Sequence, residues 1–242
     1  MKEFVIETRK LTKCYGEQTV VKEVDLHVRK GEIYGLLGRN GAGKTTLMKM
    51  LLGLTPETSG EVELFGRKLR GQEKQIYPQI GAMIEAPGFY PNLTGTENLE
   101  IFARLRGLKR EQTVKRALAV VGLPYRDKKL FGNYSLGMKQ RLGIANAILH
   151  DPKLLILDEP MNGLDPIGIA EMRGFLVKLS REQGKTILIS SHILSEIELV
   201  ADRVGIMDHG ALLAQKNMKE LKKGEETLET YFRNVTGGVG IA

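Results

Sequence analysis

The sequence lacks the features of a secreted or membrane-spanning chain. Its single cysteine, Cys14, excludes an internal disulfide and fits a reducing compartment. The residues that follow Met1 do not have the pattern of a signal peptide. A membrane-spanning helix needs about 20 mostly apolar residues, and every apolar run in this sequence is much shorter. If the protein works at a membrane, we therefore expect another chain to cross the bilayer.

Composition and charge are those of a basic globular protein. Hydrophobic residues make up 42% of the 242 residues and charged residues 27%, which is enough to build one substantial core. The net charge of +7 suits an anionic partner, either nucleic acid or lipid headgroups. The basic residues are scattered except for short clusters at 104–110 and 219–223. Solvated helix faces explain such clusters more often than binding patches do, so charge alone does not identify a partner.

The most informative segment is a glycine-rich loop that follows an apolar, strand-like run (33–37) and precedes a helix-forming run (47–52). It matches the phosphate-binding pattern G-x-x-x-x-G-K-[ST] in the required strand–loop–helix context. Its backbone N–H groups and the helix N-terminus would favour phosphate oxygens. A glycine-rich turn that binds nothing is the alternative. The candidate nucleotide-binding residues of the loop are Gly38, Asn40, Gly41, Gly43, Lys44, Thr45 and Thr46.

Two residues of this loop have distinct predicted roles. We expect Lys44 to reach the outer phosphates of a nucleoside triphosphate and the Thr45 hydroxyl to bind Mg²⁺. The sequence therefore predicts ATP and Mg²⁺ as cofactors.

The order of predicted elements indicates an α/β fold. Segments 4–6, 20–28 and 61–65 read as strands of a small antiparallel sheet, and 85–150 reads as a helical lobe. Apolar strands at 153–158, 186–190 and 204–207, with a helix at 167–183, are typical of a parallel sheet. The predicted fold is a P-loop NTPase (RecA-like) parallel-sheet core with a small antiparallel β subdomain and an inserted helical subdomain.

This order also predicts the domain organisation. We expect a single domain over residues 1–235, in which 1–84 and 151–215 form the core with the antiparallel sheet. Residues 85–150 would form the helical subdomain, 216–235 C-terminal helices, and 236–242 a flexible tail.

Acidic residues and a histidine follow two of the predicted parallel strands, where open α/β sheets place their ligands. Asp158 would hold Mg²⁺, through water, and Glu159 would act as the base for the attacking water. Strand termination is the alternative role for this acidic pair. His192 would contact the γ-phosphate or hold the attacking water, although a lone histidine is more often structural.

Five motifs occur in the order found in ATP-binding-cassette (ABC) ATPases, and the sequence resembles that family from Phe4 to about Leu213. The motifs are the phosphate loop followed by segments 134–141, 154–160, 162–165 and 191–192. The resemblance implies that two subunits close head to tail around two ATP molecules.

The resemblance also implies roles for four further residues. Ser135 and Gly137 would cover the γ-phosphate of the partner's nucleotide, although Leu136 and Met138 stand where the family more often has glycine. Asp165 would organise the dimer interface, and Tyr15 would stack on adenine. In isolation, the motifs at Ser135 and Asp165 could be ordinary helix caps, and a lone tyrosine such as Tyr15 is usually a packing residue.

One departure from the family pattern is informative. Glu85 stands where the family normally has a glutamine, so a carboxylate would lie near Mg²⁺ and the triphosphate and is a third metal-site candidate. There it could tighten metal binding or, through repulsion, favour hydrolysis and release. The same substitution is a feature of the ATPase subunits of bacitracin-resistance and lantibiotic-immunity exporters, which the sequence resembles. A neutral change in a variable loop is the alternative.

The sequence thus predicts the ATP-binding and ATP-hydrolysing subunit of a bacterial ABC transporter. We expect a second copy and an integral membrane subunit on a separate chain as partners, at the cytoplasmic face of the cell membrane. Export of an antimicrobial peptide or another drug is the expected role. The residues near Glu85 and at 87–90 would pass the motion to the membrane subunit.

Two alternatives from other classes remain. The first is a soluble ABC-type ATPase that acts in DNA repair or translation. The single phosphate loop and the lack of long heptad repeats argue against it, so no nucleic-acid partner is expected. The second is a regulatory module that binds ATP without hydrolysing it, against which Glu159 and His192 argue. The transported molecule contacts the membrane subunits, so this chain does not identify it.

Overall fold

The computed structural model describes residues 3–85, 88–224 and 226–238. The predicted contact at Pro87 and the end of the predicted tail, 239–242, lie outside these residues. The strands in chain order are β1 (Phe4–Tyr15), β2 (Gln18–Val24), β3 (His27–Arg29), β4 (Ile33–Leu37), β5 (Ser59–Leu64), β6 (Arg67–Lys68), β7 (Ile80–Met83), β8 (Leu154–Leu157), β9 (Thr186–Ser191), β10 (Arg203–Asp208) and β11 (Ala211–Asn217). The α-helices are α1 (Lys44–Leu51), α2 (Glu73–Ile76), α3 (Gly95–Leu105), α4 (Arg110–Val120), α5 (Leu136–Ile148), α6 (Pro166–Arg181), α7 (Leu194–Glu198), α8 (Met218–Lys223) and α9 (Leu228–Val235).

Two sheets organise the described residues, and they confirm the predicted α/β class. The first is antiparallel in the order β2-β1-β5-β6, with β3 also paired to β1. The second has the order β11-β10-β4-β9-β8-β7. Its strands from β10 to β7 run parallel, and β11 pairs antiparallel at the edge. The predicted parallel core and small antiparallel sheet are therefore both present.

The parallel sheet is buried on both faces, because successive side chains of a strand point to opposite sides. In β4, Ile33 and Leu37 pack in the core cluster that includes side chains of α3 to α6. Tyr34 and Leu36, which alternate with them, pack in the second cluster with α1 and the antiparallel sheet. Continuous apolar runs such as β8 therefore supply both cores at once.

The helices α3 to α5 lie between β7 and β8 in the chain, in the predicted helical segment. A capping box begins α3: the Thr94 hydroxyl accepts from the Glu97 N–H, and the Glu97 carboxylate accepts from the Thr94 N–H. Helix α5 packs closely on β7 at Gly81, where a Cβ atom would stand 2.1 Å from the Ala147 carbonyl oxygen. A side chain at that position would force the helix off the sheet.

Several predicted boundaries were wrong. The predicted strand at 20–28 is two strands, because β2 pairs with the second half of β1 and β3 with the first half. At the break, the Thr8 hydroxyl donates to the Val24 carbonyl and accepts from the Leu26 N–H, both at 2.8 Å. The predicted strand at 4–6 extends through Tyr15 because both halves find partners. Strand β11 was not predicted; it follows a tight turn at 209–210, where both residues have positive φ.

Candidate functional site

The glycine-rich loop between β4 and α1 forms one wall of a cavity of about 230 Å³. Gly43 lies immediately before α1 at φ +99°, and a Cβ there would approach the Val20 carbonyl oxygen to 2.7 Å. Only glycine satisfies both constraints. Gly38 lies at the start of the loop, and its carbonyl faces Lys44. The predicted residues that line the cavity are Asn40, Gly41, Gly43, Lys44, Thr45, Thr46 and Glu159.

Lys44 is buried, and acceptors surround its ammonium group. It donates to the Gly38 carbonyl at 2.6 Å and the Arg39 carbonyl at 3.1 Å. Its Nζ atom also lies 3.3 Å from Glu159 Oε1. The ammonium group is therefore held over the loop rather than extended into solvent. The ion pair links the loop to the segment that follows β8.

Thr45 and Asp158 meet although 113 residues separate them, because β4 and β8 are both paired to β9 in the sheet. The Thr45 hydroxyl donates to Asp158 Oδ2 at 2.8 Å. This hydroxyl and carboxylate are the hard oxygen donors that Mg²⁺ prefers. Within the described ranges, no group of three or more His, Cys, Asp or Glu side chains forms a metal cluster. The donor set therefore fits an ion that takes its remaining ligands from water and phosphate oxygens, as Mg²⁺ commonly does.

Glu159 and His192 form the second predicted pair. His192 Nδ1 lies 2.6 Å from Glu159 Oε2, and since a carboxylate only accepts, the ring nitrogen donates. A neutral ring that donates from Nδ1 has an accepting Nε2, which suits holding a water molecule. Donation to a phosphate would need a second proton on the ring. Glu159 itself has φ +48°, an uncommon backbone conformation for a residue with a side chain.

The structure places Ser135 and Asp165 in a different cavity from Lys44. Ser135 caps α5, its hydroxyl accepting from the Met138 N–H at 3.3 Å, and Asp165 caps α6, accepting from the Gly168 N–H at 2.7 Å. These turns share a cavity of about 420 Å³, which Gly137 also lines. None of the residues that line it lines the phosphate-loop cavity. Ser135 and Asp165 therefore do cap helices, as the alternative interpretation expected. Contact of either residue with a partner's nucleotide stays a prediction.

Tyr15 lies at the end of β1 and is about half exposed. The Lys13 ammonium group sits 4.8 Å from its ring centre and donates to the Pro56 carbonyl at 2.7 Å. The tyrosine is therefore a surface ring rather than a core residue, and it does not line the phosphate-loop cavity. Stacking on adenine stays a prediction.

Glu85 forms an ion pair with Lys49, with Nζ and Oε1 2.6 Å apart. Lys49 lies one helical turn after Thr45 on α1, so the pair is on the same side of the helix as the proposed metal ligand. The hydrogen bond from Lys49 to Glu85 raises the pKa of the lysine above its usual range. Lys49 was not predicted, because it stands 36 positions before Glu85 in the chain and only the folded structure brings the two side chains together.

Ser190 was also missed. Its hydroxyl donates to Asp158 Oδ1 at 2.6 Å and accepts from the Glu159 N–H at 2.9 Å. The only signal in the sequence is a polar pair, Ser190 and Ser191, at the end of an apolar strand. Such a pair is also common where a strand simply ends.

Comparison with known proteins identifies the family. A family model described as ABC transporter matches residues 21–162. The bacitracin transport ATP-binding protein BcrA of Enterococcus faecalis is 61% identical over 221 residues, 91% of this chain and 72% of the relative. The lantibiotic transport ATP-binding protein SrtF of Streptococcus pyogenes is 43% identical over 230 residues, 95% of this chain and 96% of the relative.

Solved structures agree with these relatives. An ATP-binding subunit of an ABC transporter superposes with a TM-score of 0.83 at 30% identity, covering 96% of this chain and 99% of that chain. A dimeric structure of MJ0796, a bacterial ABC transporter cassette, has a TM-score of 0.79 at 25% identity and covers 88% and 98%. These likenesses confirm the P-loop NTPase fold. The chain therefore belongs to the ABC transporter family, as an ATP-binding subunit that hydrolyses ATP.

Proposed function

We propose that this chain supplies the energy for an exporter that removes an antimicrobial peptide, at the cytoplasmic face of the membrane. One observation carries the hydrolytic part: the Glu159 carboxylate lies between Lys44 and His192 beside the phosphate loop. The names of the bacitracin and lantibiotic transport relatives support the cargo class.

The proposed reaction assigns a role to each residue of this network. The loop N–H groups and Lys44 hold the phosphates, which replace the carbonyl and carboxylate acceptors around the ammonium group. Mg²⁺, when bound, neutralises phosphate charge, and Thr45 and Asp158 are the residues that would hold it. Glu159 takes a proton from water as the water oxygen bonds to the γ-phosphorus and the bond to the bridging oxygen breaks, releasing ADP and phosphate. His192 Nε2 keeps that water in line.

We propose a head-to-tail dimer as the active form. Each chain carries a phosphate-loop cavity and a separate Ser135 cavity. A two-fold axis can place the phosphate-loop cavity of one copy against the Ser135 cavity of the other. Leu136 and Ile167, which line the Ser135 cavity, are 48% and 72% exposed, an apolar surface that a partner would cover. The solved dimer of MJ0796 supports this assembly.

A membrane subunit on a separate chain is the second proposed partner. None of the helices in the described residues is long and apolar enough to cross a bilayer. A cleft of about 840 Å³ lies between the α2 region and the end of α3, and its lining includes the exposed ring of Tyr77 with Pro78 and Leu108. The cleft is a candidate docking site for a segment of that subunit.

We also propose that residues 1–235 form one domain, divided into core, helical subdomain and C-terminal helices as the sequence predicts.

Co-expression with the membrane subunit in a peptide-sensitive bacterium tests the function. We expect the wild-type chain to co-purify with the membrane complex and to raise the inhibitory concentration of a bacitracin-type peptide. Lys44→Ala should abolish this protection because the phosphates lose their main charged partner, while the control Lys219→Ala, an exposed lysine on α8, should keep it. Protection by Lys44→Ala, or a DNA-stimulated ATPase recovered only in the soluble fraction, would contradict the proposal.

A further inference from the structure

Ser190 is a fully buried side chain at the carboxyl end of β9. Leu157 pairs with Ile189 in the parallel register of β8 and β9, so Ser190 stands beside the next two residues of the chain, Asp158 and Glu159. A single hydroxyl thus reaches both of the acidic residues on which the proposed reaction depends.

The two hydrogen bonds of this hydroxyl have different effects. Donation to Asp158 Oδ1 at 2.6 Å leaves Oδ2 directed at the Thr45 hydroxyl, 2.8 Å away. The carboxylate therefore has one oxygen anchored and the other presented to the metal site. A hydroxyl has one proton to donate and two lone pairs to accept, so it makes both contacts at once without competition between them.

The second hydrogen bond acts on the backbone. Ser190 accepts from the Glu159 N–H at 2.9 Å, and Glu159 has φ +48°. A non-glycine residue keeps this conformation only when its surroundings hold it there. The bond from Ser190 is such a restraint, and it directs the Glu159 side chain toward Lys44 and His192.

We propose that Ser190 is a positioning residue that sets the orientation of both the metal-binding carboxylate of Asp158 and the base Glu159. This inference rests on the proposed function, because it assigns Ser190 to the same reaction. It goes beyond that function by making one hydroxyl on a neighbouring strand responsible for both carboxylates. Residues that orient metal ligands typically change metal affinity or activity about 10- to 100-fold when removed.

The first test measures metal binding without hydrolysis. In the Glu159→Gln background, a fluorescent ATP analogue is titrated with Mg²⁺, and the half-saturating Mg²⁺ concentration is compared with and without Ser190→Ala. We expect Ser190→Ala to raise it about 10-fold or more. Binding of the analogue in EDTA should change less than about twofold, because Lys44 is held by the Gly38 and Arg39 carbonyls and not by a hydrogen bond from Ser190.

The second test measures hydrolysis in the otherwise unaltered chain. Ser190→Ala should lower kcat about 10- to 100-fold. Ser180→Ala is the matched control, since it removes a buried hydroxyl bonded to the Gly31 carbonyl, before β4 and at the opposite end of the sheet. This control should leave both the kcat and the Mg²⁺ dependence within about twofold. If Ser190→Ala does not fold, Ser190→Cys keeps a side chain of the same connectivity with a weaker donor and acceptor. It should show smaller decreases in kcat and in Mg²⁺ affinity.

The outcomes separate this inference from the proposed function. An unchanged Mg²⁺ half-saturation for Ser190→Ala, or equal effects of Ser190→Ala and Ser180→Ala, would overturn the role of Ser190. Full hydrolysis by Glu159→Gln alone would instead overturn the assignment of the base, and the Mg²⁺ titration would still decide whether Ser190 orients Asp158.

Discussion

The substitution Glu159→Gln tests the centre of the proposed reaction. Glutamine keeps the shape of the side chain, but its single amide oxygen can replace only one of the two carboxylate oxygens, which lie 3.3 Å from Lys44 Nζ and 2.6 Å from His192 Nδ1. It cannot take a proton from water. A positioned base contributes about 10²- to 10⁴-fold to the rate, so the barrier should rise by about 3 to 5 kcal/mol at about 1.4 kcal/mol per decade.

The same substitution should not weaken ATP binding. Two unit charges 3.3 Å apart attract by about 5 kcal/mol at an effective dielectric of 20 and about 1 kcal/mol in bulk water. Desolvation offsets much of this attraction, yet the carboxylate still competes with phosphate oxygens for Lys44. We therefore expect Glu159→Gln to bind ATP at least as tightly as the wild type and up to about tenfold more tightly, which corresponds to about 1.4 kcal/mol.

Two measurements on purified protein with its membrane subunit check these expectations. They are steady-state phosphate release and equilibrium titration with a fluorescent ATP analogue. Glu111→Gln, which neutralises a carboxylate 71% exposed on α4, is the control and should behave as the wild type. Turnover by Glu159→Gln above about one tenth of the wild-type rate would refute the base assignment, given the expected loss of at least about 10²-fold.

Two further predictions concern charges outside this network. Lys49→Met should raise the affinity for Mg²⁺ by up to about fivefold, because it frees Glu85 from an exposed ion pair of about 0.2–1 kcal/mol; Glu85→Gln should remove that effect in a Mg²⁺ titration. Burial lowers the pKa of His150 below its usual 6.5, opposed by a hydrogen bond to the Ile80 carbonyl. As the pH falls, the unfolded chain therefore binds a proton at this histidine before the folded chain does. The free energy of unfolding should then decrease as the pH drops below about 6.5. Between pH 7.5 and pH 5.0, the melting temperature of His150→Gln should fall less than that of the wild type.

A different result would contradict each of these two predictions. Additive effects of Lys49→Met and Glu85→Gln would mean that the two side chains do not act on the metal together. An equal acid-induced loss of stability in His150→Gln and the wild type would place the proton uptake on other groups.

The phosphate loop could be predicted from sequence because its chemistry is local. The glycines, Lys44 and Thr45 lie in one stretch, and the strand before it and the helix after it are visible in the same window. Asp158 and Glu159 could be predicted because a buried strand that ends in two acidic residues is an unusual pattern. The strand ends then bring these groups together, as parallel sheets do.

Lys49 and Ser190 could not be predicted, because their partners lie far away in the sequence. Ser190 contacts residues 31 and 32 positions away, and Lys49 contacts one 36 positions away. Neither residue type is unusual where it stands: a lysine on a helix is normally solvated, and a serine commonly ends a strand. Only the order of strands in the sheet, with β9 between β4 and β8, places that hydroxyl beside the carboxylates.

The separation of the Lys44 and Ser135 cavities has a consequence for mixtures of damaged subunits. In the proposed head-to-tail pair, each composite site would take its lysine from one copy and its serine from the other. A copy altered at Lys44 joined to a copy altered at Ser135 would therefore combine both defects in one site and leave the second intact. Such a mixture would recover part of the turnover that neither preparation has alone, a case of complementation between subunits.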